Sequence, residues 1–281
     1  MNETRRNILK GLAAAPALGL APNLLWAQTV GELKISHQFP GGTATEGDFR
    51  DRLCRRFSAE IGKRTNGALK GTVYPGSSLM KTNAQFSSVR KGALDMTLVP
   101  LSYAGGEVPE TNIGLMPGIV TSYEQAVSWK KAEIGKALAN ILADKGILIV
   151  SWIWQAGGVA SRVKPIIEPE DAKGLKVRGG SREMDMVLKQ AGATVLTLPS
   201  NEIYAAMQTG ALDAAMTSST SLISFRLEEV GKALTTGRGK TYWFMFEPLL
   251  ISRAVFEKLP KAQQDVIMAV GAEMEAFALE G

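Results

Sequence analysis

The sequence predicts an α/β protein built as two similar lobes with a cleft between them, and three observations lead there. Strand-like and helix-like segments alternate from about residue 31 onward, the grammar of sheets flanked by helices. Two well-separated stretches, "VRKGALDMTLV" and "MQTGALDAAMT", each read as a short helix ending at glycine and a strand opening on Ala-Leu-Asp, at residues 92–95 and 210–213. Two copies suit a pair of lobes rather than a solenoid. The chain's 281 residues, 45% hydrophobic and 21% charged, suffice for one large domain or two moderate ones.

The elements follow in order. "ELKISHQF" alternates as a strand, and "EGDFRDRLCRRFSAEIGKRTNG" repeats Phe49, Leu53, Phe57 and Ile61 at helical spacing before stopping at Asn66 and Gly67. "LKGTVYPG" is a strand, "AQFSSVRKG" a short helix and "ALDMTLVP" a strand. "SYEQAVSWKKAEIGKALANILADKG" reads as one long helix opening on Ser122, and "ILIVSWIWQ" as a buried strand without charge. "GLKVR", "SREMDMVLKQAG", "TVLTLP", "NEIYAAMQTG" and "ALDAAMTS" then alternate strand and helix. "AGGEV" and "QAGGV" read as glycine turns, and mostly parallel sheets are expected.

Residues 1–27 form an export signal, with a basic start, an apolar middle and Ala27 before Gln28. Arg5 and Arg6 ahead of the apolar run give the twin-arginine pattern, and Lys10, Pro16, Pro22 and Asn23 break the stretch too often for a membrane anchor. A cleaved signal and an exported product are expected. Arg5, Arg6, Lys10 and Glu3 leave with it, so the charge falls from +5 to +3, and no basic run points to nucleic acid.

Little suggests catalysis. His37 is the one histidine and Cys54 the one cysteine, the latter on an amphipathic helix as a structural thiol; no His-based metal cluster can form. Neither dinucleotide nor Walker glycine spacing occurs, so no cofactor is expected.

Ligands of open α/β sheets sit beyond the carboxyl ends of strands. Those ends are "SHQFP", "LVPLSYAGG", "IWQAGG", "VRGGS", "MTSSTS" and "WFMFEP". In "GLKVRGGSRE", Arg178 ends an apolar strand, where a guanidinium can grip a carboxylate with two parallel hydrogen bonds. Gly179 and Gly180 clear space, and Ser181 is placed to cap the next helix. An internal ion pair of Arg178 with Asp213 or Glu202 is the other reading of the same residues.

Three runs carry a resemblance: "DAKGLKVRGG", "NEIYAAMQTGALDAAMTSSTSLISFRLEEVGK" and "FEPLLISRAVFEKLPKAQQDVI". With "PGSSL" and "VRKGALDM" in the first lobe, the chain resembles, over essentially all of residues 31–281, the solute-binding proteins of tripartite ATP-independent periplasmic (TRAP) transporters. The resemblance implies a two-lobed periplasmic binding protein fold that closes on an organic acid and delivers it to small and large integral membrane subunits for ion-driven uptake. It implies residence in the periplasm, action as a monomer and no catalytic turnover. It implies Arg178 on the ligand carboxylate, with Gln38, Tyr103, Thr217, Ser218, Ser219 and Glu247 at positions where members contact ligand. Lobe 1 is expected over 29–154 and lobe 2 over 155–243, with 244–281 crossing back to lobe 1 and hinges at "WIWQAGG" and "TYWFMFEP".

Two departures stand out. Where sialic-acid-binding relatives carry a further arginine, this chain has Trp154, Gln155 and Ala156, with Arg162 too far along, and Thr217 and Ser218 replace an asparagine. Trp154 is expected to cover an apolar part of the ligand and Gln155 to add a neutral hydrogen bond, although alternation puts Trp152 and Trp154 on one face and one of them can be core. Members also continue past "AVGAEMEAFALEG", so the chain is expected to be truncated, with Val270, Met274 and Phe277 lacking a partner. A small hydroxy, keto or aromatic monocarboxylate suits one arginine and a tryptophan; a dicarboxylate or sugar acid would draw on Lys81 or Arg162. A secreted α/β enzyme acting on acids and a receptor for an ATP-driven transporter are the rival readings.

Overall fold

The computed structural model describes residues 31–237 and 240–280. The export signal read at residues 1–27 lies outside them. The first half of the chain runs β1 (Gly31–His37), α1 (Phe49–Arg64), β2 (Leu69–Tyr74), α2 (Thr82–Arg90), β3 (Met96–Leu98), α3 (Tyr123–Ser128), α4 (Glu133–Asp144) and β4 (Ile147–Ser151). It continues through β5 (Trp154–Ser161), β6 (Lys176–Arg178), α5 (Arg182–Gln190), β7 (Thr194–Leu196), α6 (Ile203–Gln208), β8 (Ala214–Ser218), α7 (Ser219–Ser224) and β9 (Ala233–Thr236). It ends with β10 (Phe244–Phe246), β11 (Leu249–Ser252), α8 (Arg253–Phe256) and α9 (Lys261–Glu280).

Two sheets form two lobes. The first has strand order β2-β1-β3-β11-β4 and the second β10-β5-β8-β6-β7, with β9 also on β5. They are mixed rather than mostly parallel: β1 runs parallel to β2 and β3, and β6 to β7 and β8. By contrast, β5 is antiparallel to β8, β9 and β10, and β11 to β3 and β4. Every antiparallel pair includes β5 or β11, the strands entered at the two passages between sheets. The predicted strand "ILIVSWIWQ" breaks at Trp152 and Ile153, leaving β4 in one sheet and β5 in the other, and the chain returns at Glu247 and Pro248 between β10 and β11. The two passages are tied together, the Glu247 amide donating to the Ile153 carbonyl at 2.8 Å.

Local chemistry accounts for the main elements. The Asp48 carboxylate caps α1 by accepting from the Arg50 amide, and the helix buries Phe49, Leu53, Phe57 and Ile61 against β1 and β11. Each such side chain contributes about 1.5–3 kcal/mol when fully buried. α9 lies against α1 and β4. Its Val270 and Met274 are core residues and Phe277 packs beside them under the Arg56 guanidinium, so the partner expected to be missing is the first lobe itself. The predicted long helix from Ser122 is two, because the Trp129 carbonyl occupies the space beside Gly135 and turns the chain between α3 and α4. "QAGGV" is not a turn either. It lies inside β5, where Gly157 gives room to the Trp243 indole.

Candidate functional site

β6 is three residues long, pairs with β7 and β8 and buries Val177 completely. Arg178 follows at its end, with Gly180 at φ 94°, a conformation open to glycine. Ser181 then caps α5, its hydroxyl accepting from the Met184 amide at 3.1 Å and donating to the Leu115 carbonyl at 3.1 Å, Leu115 being part of the same core as Met184. A tie between the lobes runs from the Ser102 hydroxyl, just past β3, to the Gly180 carbonyl at 3.2 Å.

The Arg178 side chain is 1% exposed. Nε donates to the Leu198 carbonyl at 3.0 Å, Nη1 to the Met216 carbonyl at 2.6 Å and Nη2 to the Tyr103 hydroxyl at 2.8 Å. A guanidinium has five N–H groups, so one remains on each terminal nitrogen. No carboxylate of the described residues pairs with it. Asp213, one of the two acids considered as its partner, accepts from the Lys176 amide instead. Its hydrogen bonds therefore all go to neutral acceptors, with Asp185 and Glu247 near enough to feel its charge without bonding it.

A cleft of about 830 Å³ is lined by Tyr103, Asn112, Gly180, Ser181, Asp185 and Leu198 among others, with Arg182 and Lys189 also on its wall. Tyr103 and Leu198 connect it to Arg178 through their hydrogen bonds, while Arg178, Gln38 and Thr217 do not themselves line it. Asp185 is buried and accepts from the Thr197 hydroxyl at 3.1 Å through one oxygen, while its other oxygen has no partner. Burial raises its pKa, against opposing contributions from Thr197 and Arg178.

The other sequence-predicted residues divide by what their polar atoms are doing. Both amide atoms of Gln38 and the hydroxyl of Thr217 are buried without a partner, which is where a ligand's hydrogen bonds are wanted. Tyr103 accepts from Arg178 and from the Ser200 amide at 3.0 Å, and so orients the guanidinium. Gln155 is committed internally, accepting from the Thr220 hydroxyl and donating to the Trp154 carbonyl, both at 2.9 Å. Ser219 donates to the Ala156 carbonyl at 3.2 Å, and Ser218 caps α7. Trp154 sits in a core that joins residues of both sheets, between Trp129, edge-on at 5.0 Å, and Phe246, stacked at 4.8 Å. Trp152, in the break between β4 and β5, packs on the same Phe246; the buried indole N–H of Trp154 has no partner. Lys81 is exposed at the start of α2, and Arg162 lies beyond β5 at the Ala214 end of β8, away from Thr217.

Glu247 faces a cation that the sequence reading missed. Arg50, fully buried in the first turn of α1, holds Asp48 through Nε at 2.9 Å and Nη2 at 2.7 Å, and Glu247 through Nη1 at 3.2 Å. Burial alone would loosen its proton, but Asp48 and Glu247 outweigh it and raise its pKa. Burial pushes Glu247 up, with Arg50 opposing. Burial would also push Asp48 up, but Arg50 prevails and holds it below the usual range. One signal was available: Arg50 precedes Cys54 by one helical turn, on the buried side of α1.

Among the described residues no group of three or more His, Cys, Asp or Glu side chains could hold a metal ion, and no helix is long and apolar enough to cross a membrane. The sequence matches the family model of the bacterial extracellular solute-binding proteins, family 7 (DctP), over residues 41–280. It is 71% identical over 276 residues to a solute-binding protein of Albidiferax ferrireducens, covering 98% of this chain and 81% of that one. It is 27% identical over 258 residues to the C4-dicarboxylate-binding periplasmic protein DctP of Rhodobacter capsulatus, covering 91% and 75% of the two chains. Its fold is similar, with a TM-score of 0.87 and 75% identity over 88% of this chain and 78% of the other, to the crystal structure of a TRAP periplasmic solute binding protein from Rhodoferax ferrireducens with bound malonate. The family match over most of the chain and the two close relatives agree, and the chain belongs to the bacterial extracellular solute-binding proteins of family 7, the DctP-type receptors of TRAP transporters.

Proposed function

We propose that this chain is a periplasmic receptor that closes its two lobes on a small organic acid, held by its carboxylate on Arg178, and delivers it to the membrane subunits of a TRAP transporter. It works as an exported monomer, by binding and release without chemical turnover. The observation that carries the reading is the buried Arg178 guanidinium, with no acid bonded to it among the described residues and one N–H left over on each terminal nitrogen. Gln38 and Thr217 supply neutral hydrogen-bonding groups for the rest of the ligand, which favours a hydroxy or keto monocarboxylate.

A second reading, a short dicarboxylate, draws on Arg182 and Lys189 in the cleft wall and on the relative with bound malonate. A thermal-shift panel of lactate, pyruvate, benzoate, malonate, succinate and glucuronate separates the two, since ligand at ~100 times its dissociation constant adds about 2.7 kcal/mol. Stabilisation by monocarboxylates alone supports the first reading. Stabilisation by none of the acids, with neutral sugars or amines active instead, contradicts both.

A further inference from the structure

We propose that Arg50 is a positioning residue for ligand capture: it holds the turn from β8 into α7, and with it Thr217, against the first lobe. The inference rests on the receptor reading above but concerns a residue that makes no hydrogen bond to Arg178. Arg50 belongs to α1 in the first lobe, while its Nη1 reaches the Ser218 hydroxyl at 3.4 Å and the Ser221 hydroxyl at 3.2 Å in the second, and Nη2 reaches Ser221 at 3.2 Å. The same side chain bonds Glu247, at the returning passage between the sheets. One guanidinium thus joins a helix of one lobe, the head of a helix in the other and the strand passage between them.

The contact is built rather than incidental. All of Arg50 is buried, and its guanidinium carbon lies 3.7 Å from the centre of the Phe39 ring, which in turn faces Phe225 just past α7 at 6.4 Å. Ser218 donates to Ser221 at 2.8 Å and caps the Ser221 amide, so the two hydroxyls form one rigid acceptor pair for the arginine. Two residues with unspent polar atoms flank this junction: Gln38 precedes Phe39, and Thr217 precedes Ser218. On the neighbouring strand Arg178 pairs with Ala215, two residues before Thr217. Arg50 therefore fixes where Thr217 and Arg178 stand relative to Gln38 across the lobes, without touching ligand itself. Its own charge is taken up by Asp48 and Glu247, so it is no second anion grip.

The test uses Ser221→Ala, which removes two arginine contacts but keeps the Ser218 cap, and Arg50→Lys, which keeps the charge but not the fork. Amide hydrogen exchange of the ligand-free proteins over residues 216–222 should accelerate about tenfold in both variants, as for loss of hydrogen bonds to a charged group, with β6 and β7 unchanged. Stopped-flow and calorimetric titration with malonate and with lactate should show a dissociation rate raised about tenfold with little change in association rate. Unchanged exchange in that turn, or wild-type dissociation rates beside a merely lowered melting temperature, would overturn the proposal. Wild-type protein that binds no acid at all would instead overturn the receptor reading, and the exchange result would still decide whether Arg50 holds the turn.

Discussion

The phenol oxygen of Tyr103, on the first lobe, stands 2.8 Å from Nη2 of Arg178 and 3.0 Å from the Ser200 amide nitrogen, both on the second. A single hydroxyl thereby orients the Arg178 guanidinium and joins the two lobes beside it. Tyr103→Phe keeps the ring and removes both acceptor contacts. The expected outcome in calorimetric titration is affinity weaker by about 1–3 kcal/mol, the cost of leaving buried donors unsatisfied, with the ligand-free fold retained by circular dichroism.

Gly180 controls the same guanidinium from behind. Its φ is 94°, and a Cβ there would lie 2.6 Å from Arg178 Nη1. Gly180→Ala should displace the clamp and add about 1–3 kcal/mol of backbone strain. Ligand-induced thermal stabilisation should disappear while the far-ultraviolet spectrum persists; an undiminished ligand shift would show that the turn does not set the clamp.

Gly157 serves the fold rather than the ligand. Any side chain there meets the Trp243 indole in the second-lobe core. Gly157→Ala should cost about 1–3 kcal/mol by overpacking, seen as a lower midpoint in urea unfolding with the slope unchanged.

Acid should weaken the first lobe through Asp51. Its carboxylate is buried, 3.1 Å from His37 Nε2, and accepts from the Gly42 amide and from Arg55, each at 2.7 Å. Burial would push its pKa up, but His37, Arg55 and Gly42 prevail and hold it below the usual range. An acid whose folded pKa is depressed adds stability that is complete above its unfolded value of about 3.9 and is lost as pH falls through the folded value. Asp51→Asn should therefore lower the melting temperature at neutral pH and flatten its decline below about pH 4. A decline as steep as the wild type's would assign acid sensitivity to other groups.

The division into legible and illegible features follows from range. Element types were readable because periodicity and capping act locally: Phe49, Leu53, Phe57 and Ile61 mark α1, and Ser181 marks the start of α5. Arg178 could be singled out because a charge ending an apolar strand is a local anomaly, and among the described residues no carboxylate forms an ion pair with it. What escaped depends on contacts between distant segments. The break at Trp129 is set by a carbonyl packed on Gly135, the room at Gly157 by Trp243, and the core place of Trp154 by Phe246. Glu247 was singled out for the ligand, yet its carboxylate bonds Arg50, nearly two hundred positions earlier. No local pattern joins those two residues.

The most direct measurement of the central claim is calorimetric titration of Arg178→Lys with the acid that most stabilises the wild-type protein. Lysine keeps the charge but cannot present two parallel N–H groups. The account expects a loss of about 2–5 kcal/mol, which moves a micromolar dissociation constant to between about 30 μM and several millimolar. Near-native affinity in that variant would contradict the carboxylate clamp.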